Sequence, residues 1–210
     1  MQIYPSVLAL QDNPASWDSR IAELPIEPAG IHYDIGDGDF VPSMMLRPED
    51  VSEIHLDLPI DIHLMVRKPS LYFSTPAFER AQAVAFHIEC DEDIHETIQY
   101  LKNAGKRVGL AVLDTTPAQN IDQYLLEIDY ILMMTVKGGY SGTPFIPEVL
   151  SKIGEIHNKN PELPIVVDGG INQDTLPLCI HAGTTGAVMS SALFSGANLD
   201  WLDEYIANKK

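Results

Sequence analysis

Basic residues are scarce in this chain. Its 210 residues carry 13 Lys and Arg against 30 Asp and Glu, a formal charge of −17 at pH 7. Nucleic acid needs a basic face to neutralise its phosphates, so this balance argues against such a partner. It also sets a condition on any anionic ligand. Exposed charges are screened beyond about 10 Å at ordinary salt, so an anion can bind, but only through a local cation or a ring of backbone N–H groups. Cysteine is scarcer still: Cys90 and Cys179 stand alone, with no CxxC, and read as two reduced thiols in an intracellular protein. No apolar run approaches the roughly 20 residues that a membrane helix needs. The stretch Met1-Gln2-Ile3-Tyr4-Pro5 has neither the basic start nor the apolar core of a secretory signal. Two phosphate-binding signatures are missing as well: no GxGxxG follows the first strand-like segment, and GxxxxGK(S/T) occurs nowhere. The expectation is a soluble, cytoplasmic protein with no membrane and no nucleic-acid partner.

What is present is a regular alternation. Strand-like segments fall at 30–35, 59–66, 83–88, 108–113, 129–136, 164–168 and 186–189, after a first apolar run at 3–10. Helical spacing or helix-capping residues mark 13–24, 48–54, 70–81, 91–104, 116–127, 147–157, 172–182 and 198–207. Asn13 with Pro14 suits a helix start, and Gly105 a helix end. Strands such as Ile165-Val166-Val167 are apolar on both faces, as in a parallel sheet covered by helices. There is no linker, low-complexity segment or break in composition, so the reading is one domain over residues 1–210. Eight βα units of about 26 residues each predict an α/β fold, a compact (β/α)8 TIM barrel. An open doubly wound sheet is the weaker alternative.

Polar residues interrupt these strands at one end only. His32 and Asp34 end the second strand, His63 and Met65 the third, Met134 the sixth, and Asp168 the seventh, just before Gly169-Gly170. Residues i and i+2 of a strand share a face, and in a barrel this end is where chemistry gathers. His32, Asp34, His63 and Asp168 form a donor set suited to Zn²⁺, Mn²⁺, Fe²⁺ or Co²⁺. An ion beside a sugar carbonyl acts as a Lewis acid toward a developing enediolate. Two carboxylates on opposite faces of one carbon can remove and deliver its proton, and the combination is epimerisation next to a carbonyl. Each residue also admits a structural reading. His32 and Asp34 can be a buried hydrogen-bonded pair, His63 can bond Asp61, and Asp168 can cap the helix after Gly169-Gly170. Met65 and Met134 read either as core or as water-excluding cover above the reacting carbon. Asp37 and Asp39 suit a turn, and their spacing from Asp34 is not that of a calcium-binding EF-hand loop. His87, with Glu89, reads as support for the rim or as structure. His55, His95, His157 and His181 read as solvated.

Several ordered segments match a known family over nearly the whole length. They are Pro5-Ser6, the run from His32 to Pro42 (HYDIGDGDFVP), Asp61-Ile62-His63-Leu64-Met65, Met134-Thr135-Val136, Gly139-Tyr140-Ser141-Gly142, Phe145-Ile146-Pro147 and Val167-Asp168-Gly169-Gly170-Ile171-Asn172. In these the chain resembles ribulose-phosphate 3-epimerases. The resemblance implies a (β/α)8 barrel with one divalent metal ion (Zn, Fe, Mn or Co) held by His32, Asp34, His63 and Asp168. It implies Asp34 and Asp168 as the acid–base pair inverting C3 of a ketose phosphate, D-ribulose 5-phosphate to D-xylulose 5-phosphate, in the pentose phosphate pathway. Ser6, His63, Met65 and Met134 would meet the substrate. Gly139, Tyr140, Ser141, Gly142, Gly169, Gly170, Ser190 and Ser191 would cradle its phosphate, a task backbone N–H groups perform well. Association into a homo-oligomer is also implied.

Four departures touch the substrate side. Gly36 replaces a methionine and should open one wall. Leu113-Asp114 and Lys137-Gly138 each replace Asn-Pro, and Lys137 reads as a solvated loop residue. Ser190 replaces a glycine and should obstruct backbone approach to phosphate. An epimerase or isomerase of another sugar phosphate, such as allulose 6-phosphate, and a metabolite-binding barrel without turnover are the competing readings.

Overall fold

The computed structural model describes residues 1–137 and 143–206. Eight strands run parallel: β1 Gln2–Pro5, β2 Ile31–Gly36, β3 Ile60–Met65, β4 Ala83–His87, β5 Arg107–Val112, β6 Tyr130–Met134, β7 Ile165–Asp168 and β8 Gly186–Met189. Their order in the sheet is β1-β8-β7-β6-β5-β4-β3-β2. A parallel bridge between Ser6 and His32 joins the two outer strands, so the sheet curls into a barrel. This is the (β/α)8 fold expected, and it excludes the open sheet.

Period-two alternation divides six of the strands between two apolar cores, while β2 and β3 turn His32, Asp34, Asp61 and His63 inward. Ile31, Tyr33 and Ile35 of β2, Ile62 and Leu64 of β3, and Ile165 and Val167 of β7 belong to the larger cluster, packed against the helical layer. Tyr4, Ala83, Ala85, Ala111, Tyr130, Leu132, Val166 and Val188 form a second cluster that fills the barrel. Asp61 lies among the inward residues and accepts a hydrogen bond from the Tyr130 hydroxyl at 2.6 Å. The Arg107 guanidinium sits 4.6 Å from the centre of the Tyr130 ring. That ring occupies the space a side chain on residue 109 would need: a Cβ on Gly109 would lie 2.3 Å from Tyr130 Cζ.

The α-helices are α1 Trp17–Ala22, α2 Pro76–Arg80, α3 Ile94–Asn103, α4 Val149–Lys159, α5 Leu176–Ala182, α6 Ser191–Phe194 and α7 Asp203–Ile206. α3 shows how sequence makes these elements. Asp93 Oδ1 accepts from the Glu96 N–H at 2.9 Å, Ile94, Ile98 and Leu101 are buried, and Gly105 follows at φ +73°. No helix among the described residues is long and apolar enough to cross a membrane.

Several crossovers are less helical than their spacing predicts. Residues 48–53 and 118–124 form 3-10 turns only, and 13–24 and 70–81 each split into a 3-10 turn and a short α-helix. Asp50, Val51 and Ser52 in one segment and Asn120, Ile121 and Asp122 in the other are weak helix formers, through local side-chain hydrogen bonding or β-branching. Asn13 makes no side-chain cap. The Ser16 and Ser19 hydroxyls instead donate to the Asn13 and Ser16 carbonyls.

The crowding at Gly109 predicts that Gly109→Ala overpacks the barrel interior, at a cost of about 1–3 kcal/mol. The urea midpoint should fall while the circular dichroism spectrum keeps its shape. An unchanged midpoint would mean that Tyr130 yields its place freely.

Candidate metal centre at the barrel mouth

His32 and Asp34 come from β2, His63 from β3 and Asp168 from β7, all on the inward face. The register sets Asp34 opposite His63 and Met134 opposite Asp168. One donor atom from each of His32, Asp34, His63 and Asp168 lies within 4.8 Å of the others. His32 Nε2 is 3.1 Å from Asp34 Oδ1 and 3.7 Å from Asp168 Oδ2. His63 Nδ1 is 3.2 Å from Asp34 Oδ1 and 3.4 Å from Asp168 Oδ2. Both imidazoles are fully buried, and only Asp168 has appreciable exposure.

The electrostatics are those of charges held together out of water. Burial works against a charged His32, yet Asp34 beside it, with Asp168 and Asp61, raises it to about 9. Burial would push Asp34 up, but His32 and His63 hold it well below the usual carboxylate range. His63 is likewise raised by the two carboxylates against the cost of its burial.

Two observations test whether a divalent ion suits these residues. His32 Nε2 is buried and finds no aligned hydrogen-bond partner among the described residues, although two carboxylate oxygens lie close. A tetrahedral ion about 2.0–2.1 Å from each donor sets the donors roughly 3.4 Å apart. The four N···O separations above, 3.1 to 3.7 Å, straddle that value. The residues fit the ion.

The structural alternatives fare differently. Asp61 bonds Tyr130 rather than His63. Asp168 points at the two imidazoles, and α5 begins only at Leu176. Asp37 does serve the turn: its Oδ1 accepts from the Asp39 and Phe40 N–H groups, and its Oδ2 from Arg67 N–H.

Above the four donors opens a cavity of about 280 Å³, near the roughly 300 Å³ lower end for small-molecule sites. Of the residues singled out in the sequence, Ser6, Asp34, Met65, Met134, Asp168, Gly169, Gly170, Ser190 and Ser191 line it. His63 does not; it is fully buried beneath the floor. Ser6 does more than line the wall, since its hydroxyl donates to Asp34 Oδ2 at 2.7 Å. The expected phosphate residues Gly139, Tyr140, Ser141 and Gly142 lie outside the described residues.

The departures resolve in physical terms. The wall expected to open at Gly36 is filled from elsewhere. A Cβ on Gly36 would lie 2.9 Å from both Met45 Cγ and the Ser43 carbonyl oxygen, and Met45 lines the cavity beside Met65 and Met134. No motif pointed to Met45; the signal available was the missing side chain at Gly36. Ser190 sits at a negative φ of −118°, which does not call for glycine, and the residue lines the cavity. Leu113 donates its N–H to Glu89, and Lys152 Nζ caps the Leu113 and Asp114 carbonyls at 3.0 and 2.8 Å. Lys137 is exposed. His55, His95 and His181 are exposed as expected. His157 is not solvated: it is half-buried, its ring against Gly183 and its Nδ1 enclosed.

The sequence pattern of the Ribulose-phosphate 3 epimerase family matches residues 2–194. The chain belongs to this family. It is an epimerase, within the isomerase class. It is 39% identical over 173 residues to a ribulose-phosphate 3-epimerase of Bacillus subtilis, covering 78% of this chain and 79% of that one. It is 33% identical over 204 residues to the cytoplasmic isoform from Oryza sativa subsp. japonica, covering 93% and 88%. The fold is shared more widely. The tryptophan synthase A-subunit of Pyrococcus furiosus superposes with a TM-score of 0.67 at 11% identity, over 93% of this chain and 88% of that one.

An ion bound at 100 times its Kd adds about 2.7 kcal/mol of stability, which raises the Tm of a chain this size by roughly 5–10 °C. Zinc or cobalt added to chelator-stripped protein should produce that rise, and His63→Ala should lose most of it. Equal rises in both proteins would remove His63 from the donor set.

Proposed function

We propose that this epimerase inverts C3 of D-ribulose 5-phosphate to give D-xylulose 5-phosphate, in the cytoplasm, with a divalent ion held by His32, Asp34, His63 and Asp168. The observation that carries the reading is the pair of carboxylates, Asp34 and Asp168, converging on the same two imidazoles at the cavity floor.

Inversion at a carbon next to a carbonyl needs one group to take the proton and another to return one on the opposite face. Asp34 is ionised throughout the physiological range, since His32 and His63 hold its proton affinity down. It serves as the base in one direction and keeps the proton it takes, while Asp168, entering the step protonated, delivers its own from the other face, so the two carboxyl groups end with their protonation states exchanged. In the reverse direction the roles exchange. Ser6 donates to Asp34 Oδ2 and so orients that carboxylate. A bound ion would supply Lewis-acid stabilisation of the charge that develops on the substrate oxygens.

Met45, Met65 and Met134 line the cavity above the reacting carbon and exclude water, which would otherwise protonate the intermediate on either face. The substrate phosphate meets backbone N–H groups around Gly169-Gly170 and the hydroxyls of Ser190 and Ser191, which also line a neighbouring recess. A second reading, a different ketose phosphate, is favoured by one observation: the wall at Gly36 is built by Met45 rather than from β2.

The test is solvent exchange. In D₂O the protein with zinc, cobalt, manganese or ferrous ion should exchange the C3 hydrogen of D-ribulose 5-phosphate as it forms xylulose 5-phosphate. No exchange with any of the four ions would end the proposal, and exchange of allulose 6-phosphate alone would move it to the second reading. Asp168→Asn should keep its melting temperature within a few degrees and lose about 10²–10⁴-fold in kcat. Near-native turnover would strip Asp168 of its role.

A further inference from the structure

We propose that Glu89 and His87 set the tautomer of His63, so that its Nδ1 lone pair is held toward the ion site. The inference rests on the metal reading above and extends it one layer outward, to residues that touch neither ion nor substrate.

The two ring nitrogens of His63 face different groups. Nδ1 faces Asp34 and Asp168, and Nε2 lies 2.9 Å from His87 Nε2. His87 is fully buried, and its Nδ1 is 3.1 Å from Glu89 Oε2. Glu89 Oε1 accepts from the Leu113 N–H at 3.0 Å and from the Thr116 hydroxyl. The His63 and His87 rings meet edge to edge, with centroids 5.0 Å apart and planes 29° from parallel, and Phe40, from the turn after β2, packs at a tilt 4.7 Å from His87. Neither ring is free to turn over.

Proton counting fixes the direction of this chain. A carboxylate only accepts, so His87 Nδ1 carries the hydrogen between His87 and Glu89. In the neutral ring with its hydrogen on Nδ1, Nε2 keeps its lone pair and is the acceptor 2.9 Å from His63 Nε2. The hydrogen between the two imidazoles then belongs to His63 Nε2. A neutral His63 with its hydrogen there has a bare Nδ1, which is the form that ligates a metal. The polarity is set by the Glu89 carboxylate, which can only accept, from Leu113 N–H on one oxygen and from His87 Nδ1 on the other. Ligating histidines are commonly oriented by an outer carboxylate in this way; here a second imidazole is interposed.

Glu89→Gln tests the relay without changing its shape. The Leu113 and Thr116 donors hold the glutamine oxygen, so the amide NH₂ faces His87 Nδ1 and donates to it. His87 then carries its hydrogen on Nε2 and opposes the one on His63. The expected result is a zinc affinity about 10–100-fold weaker than native, measured against a chromophoric chelator, with the metal-free proteins melting alike. In native zinc-loaded protein labelled with ¹⁵N-histidine, two-bond ¹H–¹⁵N spectra should show hydrogens on His63 Nε2 and His87 Nδ1. Native affinity in Glu89→Gln overturns the relay, and so does a native spectrum with the His87 hydrogen on Nε2. Because that spectrum needs no variant, it decides the matter even if Glu89→Gln does not fold. Absence of zinc binding by the native protein overturns the ion site and the relay together, whereas equal binding by native and variant overturns the relay alone.

Discussion

Strand register is the constraint on which the site depends. Asp34 stands opposite His63 because β2 and β3 pair in one register, and Met134 stands opposite Asp168 for the same reason in β6 and β7. Side chains alternate faces along a strand, so a slip of one residue would turn a donor out toward the helices and an isoleucine or valine in toward the mouth. The outer face prevents this. Tyr33, Ile62, Leu64 and Val167 are completely buried there, and apolar surface is worth roughly 25 cal/mol per Å² kept from water. Packing on one side of each strand thus holds the chemistry on the other.

The same enclosure decides the electrostatics. Two carboxylates out of water would be costly alone, and burial is tolerable because two imidazoles share their space. The surface points the other way. The chain carries a formal charge of −17, and no lysine or arginine is among the described residues that line the cavity. A sugar phosphate in this cavity would therefore meet oriented dipoles at short range, where the protein's wider field is largely screened.

Much of this was legible before any coordinates. The alternation of apolar strands and helical segments announces a closed parallel sheet, because strands covered on both faces leave runs such as Ile165-Val166-Val167. His32, Asp34, His63 and Asp168 stand out as polar interruptions at a common end of such runs. What escaped was non-local. Met45 fills the gap at Gly36 from a loop, Ser6 reaches Asp34 across 28 positions, and His87 meets His63 across 24. Periodicity reports which face a residue takes, not what lies opposite it. Periodicity also overcalled helix at 48–54 and 116–127, where apolar spacing was right but Asp, Asn and Ser favoured tighter turns.

Met45 carries a consequence for how such a barrel diversifies. The four residues of the candidate metal centre sit on strands locked by two-sided packing, while one wall of the chamber above them is delivered by the connecting segment after β2. Connecting segments tolerate substitution and changes of length far better than buried strands do. The shape of that wall can therefore drift in this lineage while the His/Asp cluster beneath it stays as it is.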